Sequence, residues 1–135
     1  MRYARNFIAM ILCLSLLLFP GMLVAFDYDH EIKASGMTFQ WKVDRKSQSL
    51  HVRLSAKTKG WLSVGFNDKP VMKEADLVIG YVKNGAVKVR DDFGVRRVSH
   101  TNDAADGGRN DVSNVSGSED GGVTSISFTM PLKSN

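Results

Sequence analysis

Ala75-Asp76-Leu77-Val78-Ile79-Gly80-Tyr81-Val82-Lys83-Asn84-Gly85-Ala86-Val87-Lys88-Val89 decides the fold class. Two apolar runs of strand length flank Asn84-Gly85, a dipeptide suited to a type I′ turn because both of its central residues need positive φ. The reading is a tight antiparallel hairpin. Leu77-Val78-Ile79 is apolar on successive residues, which predicts burial on both faces of that strand. Upstream, Gly60-Trp61-Leu62-Ser63-Val64-Gly65-Phe66 reads as another strand. Leu50, Val52 and Leu54 alternate with His51, Arg53 and Ser55, the period-two pattern of a strand with one wet face, and His51 then points outward. Thr38 to Val43 places Phe39, Trp41 and Val43 on one face. Downstream, Ile126, Phe128 and Met130 alternate with Ser125, Ser127 and Thr129, and Pro131 predicts an edge position for this strand. Six short strands and no helix of useful length predict an antiparallel β-sandwich or barrel.

Between Asp91 and Gly122 the composition changes to 7 acids, 3 bases and 6 glycines with no apolar run. The expectation is a long acidic loop, of the kind that is either functional, as a binding loop, or poorly ordered. Residues 32–90 are basic by contrast, with 12 bases and 4 acids.

The N-terminus carries Arg2 and Arg5, then the 13-residue apolar run Phe7 to Phe19, then Pro20-Gly21 and Leu23-Val24-Ala25. This is the pattern of a secretory signal peptide over residues 1–25, cleaved after Ala25; left uncleaved, it would be a membrane anchor. The protein is therefore expected to be exported, to the periplasm or the extracellular space. Without Arg2 and Arg5 the 18 basic residues become 16 against 14 acids. So small an excess gives nucleic acid no electrostatic footing. The single cysteine, Cys13, falls inside the apolar run, so the exported chain has no disulfide and no thiol nucleophile. No serine elbow, zinc-protease helix, phosphate loop or dinucleotide fingerprint occurs, and an enzyme is not expected.

His30, His51 and His100 share no metal-ligand spacing, and each reads as a solvated imidazole; His100 is the best placed of the three to be a ligand. Asp103, Asp106, Asn110 and Asp111 are oxygen donors near glycines, but their spacing is not that of an EF-hand, and a solvated turn is the simpler reading. Met72 lies in a polar connection, Lys69 to Asp76, between two apolar strands. A thioether there either packs or serves as an axial haem ligand.

Taken in order, the Gly60 to Phe66 strand, Met72 before Ala75-Asp76-Leu77-Val78-Ile79-Gly80-Tyr81, the Asn84-Gly85 turn, Val87 to Asp91, and Val123 to Leu132 resemble the DOMON domain. The resemblance covers residues 38–135, with 26–37 as an N-terminal lead-in. It implies an all-β, immunoglobulin-like sandwich that in many members holds one b-type haem between loops at one end and transfers electrons to a redox partner protein or a membrane electron-transfer component. Met72 would then be an axial ligand, with Trp61 and Phe66 as pocket walls. Haem-binding members supply a second ligand, usually histidine, after the strand that here ends at Pro131-Leu132. The chain stops at Asn135, so the resemblance also predicts a C-terminal truncation, missing closing strands and an unpaired apolar edge. His100 substitutes only if the acidic segment folds back over the pocket. Other members bind sugars or act structurally. The alternatives are therefore a cofactor-free module for carbohydrate or protein, or an inactive fragment.

Overall fold

The computed structural model describes residues 26–105 and 108–133. The expected signal peptide lies outside the described residues. Nine strands follow in order: β1 (His30–Ala34), β2 (Met37–Asp44), β3 (Ser49–Ala56), β4 (Leu62–Phe66), β5 (Asp76–Lys83), β6 (Ala86–Arg96), β7 (Ser99–Asn102), β8 (Ser113–Asp120) and β9 (Val123–Pro131). The only helical turn described is the 3-10 segment Asp103–Ala105. One sheet has the order β1-β2-β3-β9-β8 and the other β4-β5-β6-β7, all pairs antiparallel. The result is an open, immunoglobulin-like β-sandwich.

The Asn84-Gly85 turn closes β5 onto β6 with φ of 51° and 73°, the left-handed pair that a type I′ turn requires. Period-two alternation sends Val52 and Leu54 of β3 and Ile126, Phe128 and Met130 of β9 inward, against Leu62 of β4 and Val78 and Val82 of β5. Each such side chain contributes about 1.5–3 kcal/mol by leaving water. The two sheets approach closely at Gly80. A Cβ there would stand 2.7 Å from Ile126 Cδ1 and 3.1 Å from the Lys88 carbonyl oxygen. Gly80→Ala is expected to lower stability in urea by about 1–3 kcal/mol, because a methyl group has no space between the layers; an unchanged midpoint would contradict this packing.

Three expectations need correction. The segment expected to be one long loop holds the end of β6, all of β7 and all of β8. β8 shows no apolar alternation because it is an exposed edge strand held by its ladder to β9. β9, expected at an edge, is interior, between β3 and β8. Pro131 pairs with Ser49 at the last rung, where a missing N–H ends the ladder instead of marking an edge. Finally, His51 does face outward but is not simply solvated: its Nδ1 lies 3.0 Å from Thr129 Oγ1 and the Phe26 ring packs on it at 4.8 Å. His30 likewise stacks on Trp41.

Candidate functional site

The outward residues of β5 and β6 are unusual for a sheet face that meets solvent. Leu77, Ile79 and Tyr81 alternate outward from β5, and Lys88, Arg90 and Asp92 from β6. This face floors a groove of about 660 Å³. Trp61, Met72 and His100 line its sides, so three residues far apart in sequence meet around one space.

Met72 is held there by backbone. The connection between β4 and β5 is pinned internally by Asn67, whose Nδ2 donates to the carbonyls of Val71 (2.8 Å) and Lys73 (3.0 Å). It is also laid across the β6–β7 hairpin. The Met72 N–H donates to the Arg97 carbonyl at 3.2 Å, Glu74 N–H to the Gly94 carbonyl at 2.8 Å, and Gly94 N–H to the Ala75 carbonyl at 2.9 Å. The approach is so close that a Cβ on Gly94 would fall on the Met72 carbonyl oxygen. With those bonds made, the Met72 side chain, 40% exposed, stays at the groove instead of in the core.

His100 is held by a buried carboxylate. Asp92 is fully buried. Its Oδ1 accepts from Arg90 Nε at 2.6 Å and its Oδ2 from Arg90 Nη2 at 2.7 Å, a bidentate ion pair. The same Oδ2 lies 2.5 Å from His100 Nδ1. The hydrogen bonds and charge of Asp92 raise the proton affinity of the Arg90 guanidinium. A carboxylate bound at Nδ1 selects the tautomer with the proton on that nitrogen and leaves Nε2 as a lone-pair donor.

Of the residues singled out from sequence, Met72, Trp61 and His100 come together on the groove. Phe66 does not. It points between the sheets and packs edge-on against Phe39, with ring centroids 6.3 Å apart. His100 sits on a strand, β7, and not on a folded-back loop. Of the four oxygen donors weighed for calcium, Asp106 is outside the described residues, and Asn110 Oδ1 accepts from the Val112 N–H. Among the described residues no group of three or more His, Cys, Asp or Glu side chains stands ready to hold a metal ion. Sequence reading missed Asp92, Arg90 and Gly94. The signals were present: Arg90 and Asp92 two apart on one strand face, and a glycine inside a strand.

Among the described residues no helix is long and apolar enough to cross a membrane. A comparison with curated proteins finds no match. The family model described as DOMON domain matches residues 33–135, more than half of the chain. With the two-sheet sandwich it accounts for, that match places the chain in the DOMON family, a class of non-catalytic binding and electron-transfer modules.

Proposed function

We propose that the protein is an exported electron-transfer domain that binds one b-type haem in the groove on the outer face of β4 to β7. The observation that carries this reading is the meeting of a backbone-held thioether, Met72, and a carboxylate-held imidazole, His100, on one largely apolar cavity. The residues fit the group. Leu77 and Ile79 offer an apolar floor, and the lining includes Lys88, which has no ion-pair partner among the described residues and suits a carboxylate. When bound, the haem supplies a reversible one-electron couple. Met72 offers a neutral sulfur, a ligand type that raises the potential. His100 offers Nε2 while Asp92 keeps the ring from turning. Trp61 and Tyr81 shield the groove from water. The partner that follows from this reading is a redox protein or a membrane electron-transfer component, and no substrate is transformed.

The secreted protein, produced in haem-replete cells, should show the reduced bands of a low-spin haem. Met72→Ala and His100→Ala should each abolish the low-spin spectrum without unfolding the sandwich. A colourless preparation that takes up no added haem would exclude the proposal. A cofactor-free carbohydrate module is the second reading, favoured by Trp61, 68% exposed, beside Tyr81 in a neighbouring cleft with Lys59 and Lys83. Trp61→Ala would then abolish glycan binding while Met72→Ala left it unchanged.

A further inference from the structure

On the opposite side of the same sheet, the inner face of β5 and β6 ends in carboxylates instead of core side chains. Asp76 opens β5 on the inward parity of Val78, and Asp91 lies on the inward parity of Val87 and Val89, in register with Val78. Asp91 is 4% exposed. One of its oxygens, Oδ2, accepts the Asp111 backbone N–H at 2.9 Å; the other, Oδ1, is buried with no N–H or cation to receive, and the neighbour that the Asp91 side chain does meet is another carboxyl, that of Asp76. A buried carboxylate oxygen that receives no donor is costly, the more so when the group is charged. Asp76, Asp103, Asp111 and Asp92 add negative charge around the pair, and the cation recorded among them outside the groove, Arg109, lies 3.6 Å from Asp111 with its side chain mostly in solvent.

We infer that this end of the sandwich is a divalent-cation site, with Asp76 and Asp91 as its carboxylate ligands and calcium as the ion its hard oxygen donors select. The ion neutralises the pair and gives Asp91 Oδ1 the positive partner that its carboxyl neighbour does not supply. Water and backbone carbonyls complete an oxygen shell, which calcium accepts in irregular geometry and magnesium does not. The site is separate from the groove, and haem binding plays no part in it.

The competing occupant is a proton. Burial first, and then the Asp91 charge, push Asp76 up to about 6, and burial raises Asp91 as well. A folded-state value above the ordinary one means that protonation favours the fold: this stability is present in acid and lost as pH rises through about 6. A cation does the same work above that pH.

The test is titration of chelator-treated protein with calcium chloride at pH 7.5, by calorimetry and thermal melting. The expected result is one ion per chain and a rise in Tm of several degrees. Asp76→Asn is expected to weaken binding at least tenfold, and Asp120→Asn, on the exposed β8, to leave it unchanged. Magnesium should bind at least tenfold more weakly. Absence of heat and of a Tm shift, with stability rising only on acidification through pH 6, would overturn the inference in favour of a shared proton. Binding undiminished in Asp76→Asn would overturn it by placing the ion elsewhere.

Discussion

Gly94→Ala is expected to destabilise the protein by about 3 kcal/mol or more, a large effect for the addition of one methyl group. The reason is backbone, not side chain. The methyl would occupy the position of the Met72 carbonyl oxygen and stand 3.2 Å from the Ala75 nitrogen. A flexible side chain could swing away, but here a whole connection must lift off β6. Lifting it breaks the bonds from Glu74 N–H to the Gly94 carbonyl and from Gly94 N–H to the Ala75 carbonyl, and strains that from Met72 N–H to Arg97. Each such bond is worth about 1 kcal/mol net. Gly36→Ala is the control. Its φ of 77° penalises any side chain, yet nothing lies within 4 Å, so it should cost only about 1 kcal/mol. Urea denaturation compares the two. Hydrogen exchange should also show the amides of Met72, Glu74 and Ala75 losing protection first in the Gly94 variant. A loss no larger than that of Gly36→Ala would mean that the connection is not seated on Gly94.

Where side-chain alternation or turn chemistry records the fold, it could be read directly. Asn84-Gly85 states its turn, and β3 and β9 state their wet and dry faces. β8 could not be read in this way. Its residues are exposed from end to end, so hydrophobic patterning has nothing to write on, and its one inward demand, at Gly117, is for absence of a side chain: a Cβ there would stand 2.9 Å from Val87 Cγ2 and 3.1 Å from Val82 Cγ2. Asp91-Asp92 looked like the start of an acidic loop, because acidic residues are depleted in strands. The strand continues through them because each carboxylate has a partner, Asp92 in Arg90 of its own strand and His100 of β7 on one face, Asp91 in the Asp111 amide on the other. Met72 was visible as a thioether out of place. Its meeting with His100 was not, since it depends on the β6–β7 register, which sets Gly94 opposite His100 and shifts at the next rung.

Asp92→Asn should separate the two roles of that carboxylate. Structurally it accepts three short bonds while excluded from solvent, and the amide keeps only one oxygen to receive them. The amide's NH2 would be turned on Arg90 or on His100, both donors at this position. Removing one member of a buried ion pair costs about 3–5 kcal/mol, but the Arg90 side chain is 55% exposed and can be rehydrated, so about 2–3 kcal/mol is expected. In a double-mutant cycle, Arg90→Ala and Asp92→Ala should couple by more than about 1 kcal/mol. Additive losses would mean that the pair is a surface contact of no consequence. The second role is electronic. A carboxylate on Nδ1 makes Nε2 a stronger donor, and the neutral amide weakens it. In haem-loaded protein the midpoint potential of Asp92→Asn should therefore rise, since the oxidised iron loses more from a poorer donor than the reduced iron does. Simple loosening of the fold, as in Gly80→Ala, should leave the potential in place. If both variants shift it equally, His100 is not the group through which Asp92 reaches the groove.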